Sequence, residues 1–231
     1  MNLTCLPRCA GQFLAGALLC TCLYAQQHLP LAKDSAQELA AKQLAAKVDR
    51  HYNQLRSLKA GFAESYHGLG IQRTESGTLF IAKPGKMAWV YSSPKGKLFL
   101  LDGKFAWFYA SGDPQVQRVP AKELDDLRSP LRFLLGHTEL AQELSNLAVI
   151  EGSGGSFILS GQPRGEEKRV SRISLTVSAD GAISVIEIEE MDGALTRFTF
   201  SSQEPNAAIP SSTFHFSPPA GVPIVNAPPP V

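Results

Sequence analysis

The chain has 231 residues, 44% of them hydrophobic, and its 22 Lys+Arg nearly balance 21 Asp+Glu for a formal charge of +1. That length suits one or two domains. The balance excludes the basic footprint of a nucleic-acid binder and the polybasic patch of an electrostatically anchored membrane protein.

Residues 1–25 read as a secretory signal. Arg8 is the only charged side chain before Lys33, an apolar run from Phe13 to Leu23 follows it, and Ala25 offers the small residue expected before a cut. The run is too short to span a bilayer as a mature helix. Leu23 stands where a small residue is usual, which puts the cut within a few residues of Ala25. All four cysteines (Cys5, Cys9, Cys20, Cys22) lie in this segment, so the mature chain enters an oxidising compartment without disulfides. The alternative is a lipidated N-terminus at Cys20 or Cys22, although Leu19 and Thr21 are poor residues before such a cut. Losing the segment removes Arg8 and leaves 21 basic against 21 acidic side chains, a formally neutral protein.

Residues 26–33 read as a loose leader. Ser35 with Glu38 forms a capping box that starts a helix running to about Leu55. Leu44, Val48, Tyr52 and Leu55 make one narrow stripe that should lie along a sheet, and Lys42, Lys47, Asp49 and Arg50 mark the wet side. Strands are then expected at 58–67, 76–83, 86–92, 97–101, 104–110 and 114–119, and again at 147–151, 155–161, 169–178, 182–190 and 194–202. Asp102-Gly103, Asp180-Gly181 and Asp192-Gly193 are strong hairpin signals. An antiparallel meander of about eleven strands should curl rather than stay flat.

Within it, Met87, Trp89 and Tyr91 share one face by period two, and so do Phe105, Trp107 and Tyr109. Between the two runs of strands, Ser129-Pro130 starts a short helix through Leu131, Phe133, Leu134 and Leu135, which Gly136 ends. A second short helix spans Thr138 to Leu144. The first is apolar almost all round, so it must plug or cover something. Two helices are too little to cover eleven curved strands, and the pattern points to an apolar cavity. Asn226 to Val231 is Pro-rich and loose.

Chemistry-bearing constellations do not emerge. His28, His51, His67, His137 and His215 lack metal-ligand spacing, and there is no phosphate-binding loop or nucleophile elbow. Gly152-Ser153-Gly154-Gly155 reads as a hairpin connection, since no helix follows it to hold an anion. Glu187 and Glu189 share a strand face and read as a solvated or guarded edge. His215 reads as a surface residue of a terminal strand. Neither an enzymatic role nor a cofactor or metal is expected.

"GTLFIAKPGKMAWVYSSP" (77–94) followed by "LLDGKFAWFY" (100–109) resembles the outer-membrane lipoprotein carrier family, LolA. Phe62, the Ser-Pro helix at 129–135 and "FHFSPPAGV" (214–222) also fit, and the likeness covers nearly all of the mature chain. The resemblance implies a mainly β fold with helices: an open, unclosed antiparallel β-barrel, one domain over residues 26–231, with a helical lid over an apolar cavity. It implies a periplasmic, monomeric carrier of acylated lipoproteins. Such a carrier takes cargo from an inner-membrane ABC-type release complex and gives it to an outer-membrane receptor lipoprotein. The residues expected to meet lipid are Met87, Trp89, Tyr91, Leu98, Phe105 and Trp107. Leu131, Phe133, Leu134 and Leu135 match the lid. The family's latch position, commonly Arg, is Lys83, which offers a point charge in place of a planar fork of donors. A lipid-binding periplasmic sensor module of the same fold and a lipidated outer-membrane receptor are the alternatives.

Overall fold

The computed structural model describes residues 29–122 and 139–226. The signal segment 1–25 and the expected lid residues Leu131, Phe133, Leu134 and Leu135 lie outside the described residues. The chain divides into two compact units, Met1–Ser35 and Ala36–Val231. The second holds the whole sheet and the first helix from Ala36 onward.

Helix α1 spans Leu29–Gln54. It therefore starts earlier than expected, and Ser35 lies inside it instead of capping it. Pro30 suits a first helical turn, and Leu31, Ala32 and Lys33 are good helix formers, so nothing in the sequence delays the start. Ala41, Leu44, Ala45, Val48, Tyr52 and Leu55 are buried, the stripe expected with two alanines added.

Among the described residues twelve strands follow: β1 (Ser57–Gly68), β2 (Ile71–Ala82), β3 (Lys86–Ser93), β4 (Leu98–Leu101), β5 (Phe105–Tyr109), β6 (Val116–Pro120), β7 (Leu144–Glu151), β8 (Phe157–Pro163), β9 (Val170–Val177), β10 (Ile183–Glu190), β11 (Leu195–Pro205) and β12 (Ile224–Asn226). Helix α2 is a single turn, Leu140–Glu143, before β7. All strands form one unclosed sheet in the order β12-β6-β5-β4-β3-β2-β1-β11-β10-β9-β8-β7. Eleven match the expected strands. The twelfth, β12, pairs parallel to β6, whereas the other ladders are antiparallel.

Two meanders build the sheet, β1–β6 and β7–β11, and they meet through β1 and β11. Asp side chains fix the tight turns. Asp102 Oδ1 accepts from the Lys104 and Phe105 N–H groups, each at 2.7 Å, and Asp192 Oδ1 from Ala194 N–H at 2.9 Å. Gly103 and Gly193 beside them take φ of 97° and 86°, which glycine adopts freely. Register shifts in β1–β11, β9–β10, β2–β3 and β7–β8 add local twist.

The inner face of the sheet, the one against α1, carries the main core. Leu58, Phe62, Leu79, Ile81, Met87, Trp89, Leu159, Leu175, Ile186, Phe198 and Phe200 join the helix stripe there. The outer face carries a smaller core, where Phe214, Ile209 and Phe216 of the C-terminal segment pack on Ala88, Leu100, Phe80, Leu98 and Trp107.

Candidate functional site

An aromatic nest occupies the inner face where the two meanders join. The Phe62 ring meets Trp89 edge-on at 4.6 Å and Tyr91 at 5.0 Å. Trp89 in turn meets Phe198 at 5.5 Å and Phe200 at 6.1 Å. Edge-to-face contacts of this kind add to the burial of the rings. Gly77 makes the nest possible. A Cβ there would lie 2.1 Å from the Val90 carbonyl oxygen and 2.9 Å from Phe62 Cε1. The buried indole N–H of Trp89 is directed at Met87 Sδ, 3.0 Å away.

Toward the β1–β2 turn the inner face changes chemistry within one pair of residues. Glu64 stands opposite Glu75 in the register, one row above Phe62 and Gly77, and Tyr66 stands opposite Arg73 in the next row. Like charges placed opposite one another repel, and two cations offset this. Lys97 pairs with Glu75, which is buried, and Arg73 reaches Glu75 at 3.4 Å and Glu64 at 3.7 Å. The Tyr91 hydroxyl donates to Glu64 at 3.2 Å, and Lys97 lies over the Tyr91 ring at 4.4 Å. Burial outweighs the nearby cations at Glu64 and raises its pKa. Burial, with both carboxylates adding to it, holds the Tyr91 phenol protonated well above its usual range. The inner face is thus hydrocarbon below and a paired polar rim above.

The expected lipid-facing residues do not all come together. Met87, Trp89 and Tyr91 lie on the inner face in the nest. Leu98, Phe105 and Trp107 lie on the outer face, as does Tyr109. Met87 and Trp89 pair with Leu101 and Phe99, while Leu98 and Leu100 pair with Tyr109 and Trp107, the opposite side of the pleat. There Trp107 donates to Asp102 at 2.8 Å, Arg118 stacks on Phe105 at 4.4 Å, and Phe216 packs against Trp107 and Tyr109. Leu98, Trp107 and Tyr109 are therefore covered by the protein's own C-terminal segment, and Phe105 is flanked by Arg118 of β6. In their place the inner face carries Phe99, Phe198 and Phe200. The alternation in Phe198-Thr199-Phe200 was a readable signal for the last two.

Lys83 donates from Nζ to the Tyr52 carbonyl in the last turn of α1, and its backbone N–H donates to the Arg56 carbonyl at 2.9 Å. Burial lowers its pKa. It therefore binds the C-terminal end of α1 to β2. The Tyr52 hydroxyl accepts the Ile183 N–H at 3.0 Å, and burial pushes its pKa up to about 12. Glu187 and Glu189 face outward in cross-strand ion pairs of 2.6 Å with Arg197 and Arg172. His215 is exposed just after a 3-10 turn, Ser211–Phe214, and not on a strand. Gly152–Gly155 forms the β7–β8 connection as expected. Among the described residues no three His, Cys, Asp or Glu side chains are grouped to hold a metal, and no helix is long and apolar enough to cross a membrane.

The family model for the outer membrane lipoprotein carrier protein LolA matches residues 53–217, from the end of α1 through the C-terminal segment that covers the outer face. The chain belongs to the LolA family. It is 31% identical over 175 residues to an outer-membrane lipoprotein carrier protein of Nitrosospira multiformis, covering 74% of this chain and 83% of that one. A carrier of the same description from Chromobacterium violaceum is 31% identical over 191 residues, covering 83% and 89%. Among solved structures, an uncharacterised conserved protein of Thermus thermophilus aligns with TM-score 0.53 at 11% identity, over 81% of this chain and 99% of that one. The Mycobacterium tuberculosis lipoprotein LppX aligns with TM-score 0.50 at 14% identity, over 75% and 99%. These last two likenesses concern the fold alone.

Proposed function

We propose that this LolA-family protein shields the acyl chains of lipoproteins during transit across the periplasm. It would do so as a monomer freed of residues 1–25, without cofactor or catalysis. The observation that supports this best is the inner face itself, an aromatic nest ending sharply in a polar rim. An acyl chain of about sixteen carbons costs on the order of 10 kcal/mol to expose to water, at about 0.8 kcal/mol per methylene. Hydrocarbon laid along Phe62, Met87, Trp89 and Phe198 would recover much of that, with the polar part of the cargo at Tyr91, Glu64 and Lys97. Met87 and Trp89 are buried in the structure, so a chain reaches them only by displacing protein that covers them. Leu131, Phe133, Leu134 and Leu135 are the residues proposed to give way. Competition between lid and cargo for one surface keeps affinity moderate, which lets cargo leave for a better-matched site. Direction then comes from partners, an inner-membrane ABC-type release complex at one end and a receptor lipoprotein at the other.

The experiment is a pull-down of one lipoprotein in acylated and enzymatically deacylated forms by the purified mature chain. Capture of the acylated form only is expected, and loss of capture in Phe133→Glu with an unchanged thermal melt. Equal capture of both forms would defeat the proposal.

A further inference from the structure

Large apolar side chains left in water are unevenly distributed over this molecule. Of nine such exposed residues among those described, four sit on two neighbouring hairpin tips: Leu69 (77% exposed), Ile71 (56%), Met191 (58%) and Leu195 (37%). The tips are the β1–β2 and β10–β11 turns. They adjoin because β1 pairs with β11, His67 opposite Leu195, on strands about 5 Å apart. Nothing stands within 4 Å of where a Cβ would be at Gly70 or Gly193, so both turns are open at their glycines, and the Met191 N–H of the second donates to the Arg169 carbonyl at 2.9 Å.

From this geometry we infer that the paired tips enter the surface of a lipid bilayer. The occupant is argued from how the four side chains are arranged. Ile71, opposite Gly68, belongs to the inner face, in the series of Phe62, Glu64 and Tyr66. Leu195, opposite His67 and Glu189, belongs to the outer face. Leu69 and Met191 cap the turns between. A protein partner offers one surface and would cover one side of this rim. A bilayer entered end-on closes around both sides at once. The neighbouring arginines are already paired internally: Arg73 with Glu75 and Glu64, Arg172 with Glu189, Arg197 with Glu187, and Arg169 with Glu166; Asp192, beside Met191 in the tip, is acidic and accepts the Ala194 N–H. The contact is therefore driven by apolar burial and does not need anionic lipid. The tips lie beyond the polar rim of the inner face, with Ile71 one row past Arg73. A molecule standing on them thus turns the rim end of the inner face toward the membrane.

The inference goes beyond the carrier reading and is tested apart from it. Mature protein is floated on a density gradient with phosphatidylcholine vesicles and, in parallel, with phosphatidylglycerol vesicles, each at low and at high salt. Co-flotation is expected with both lipids at both salts. Leu69→Asn combined with Met191→Gln is expected to cut the bound fraction roughly five-fold or more with an unchanged thermal melt. Asn suits the positive φ of 52° at position 69. Wild type that fails to float overturns the inference, as does a double variant that floats like wild type, or flotation confined to phosphatidylglycerol at low salt. Capture of acylated lipoprotein is scored separately and is expected to survive in the double variant. Failure of that capture in wild type would sink the carrier reading and leave this one standing.

Discussion

Asp49 lies on the side of α1 that the sequence assigns to water, yet it is half-buried. Both its carboxylate oxygens accept the Leu140 N–H at 3.2 Å. Burial pushes its pKa up to about 6 from 3.8, with Glu139 and Glu143 adding to the rise and the Leu140 hydrogen bond opposing it. A carboxyl that holds its proton more tightly folded than unfolded favours the folded state below pH 4. That contribution fades as pH rises through about 6. Because the carboxyl is half exposed and partly screened by solvent, this contribution is about 1 kcal/mol. Asp49→Asn keeps one acceptor for Leu140 and removes the charge. It should raise unfolding free energy at pH 7.5 by about 1 kcal/mol and leave it unchanged below pH 4, read from urea titrations across that range. Glu64, also raised, keeps its own share of the slope, so the profile flattens without becoming level. The hydrophobic stripe of α1 showed in the sequence because it repeats at helical spacing. The half-burial of Asp49 did not, because it depends on α2 arriving from a distant part of the chain.

At the scale of elements, strands were far more legible than the faces they present. Asp-Gly turns and alternation were enough to mark eleven strands, while β12, three residues long and exposed, carries no alternation to read. Facing is set by pairing. The β3–β4 register, with Met87 opposite Leu101, keeps odd-numbered residues on the inner face. The β4–β5 register, with Leu101 opposite Ala106, moves them to the outer face. One residue of turn length therefore decides that Phe105 and Trp107 leave the inner face, and single-residue slips of this kind flip every side chain on a strand. The Glu64–Glu75 rim was hidden for the same reason. Lys83 shows how a motif position can be visible and its contact not. Lys83 holds the end of α1, where a cation opposite the last carbonyls is worth about 1 kcal/mol. Lys83→Ala should lower stability by about that amount and speed hydrogen exchange in the last turn of α1. The rates of lipoprotein uptake and release should stay as in wild type. Altered uptake with unchanged exchange would return Lys83 to the lid.

Among the described residues the strands form a single sheet with apolar side chains on both faces, and the two faces are covered in different ways. The inner face meets α1. The outer face meets residues 206–217, anchored where Asn206 accepts the Arg56 N–H at 2.9 Å and Ser57 donates to the Ala207 carbonyl at 2.6 Å. Phe214 is the buried centre of that outer covering, against Ala88 and Leu100. These strand residues alternate with Met87, Trp89, Phe99 and Leu101, so one stretch of chain serves two cores. If the inner face holds cargo, the outer core should contribute stability without affinity. Phe214→Ala leaves a cavity that should cost about 3–5 kcal/mol, the range for deleting a buried aromatic. The urea midpoint should fall accordingly. Below that midpoint the folded fraction should capture acylated lipoprotein as wild type does. A parallel loss of capture at full folding would mean that the two cores act as one, with the C-terminal segment setting the shape of the inner face through the strands between them.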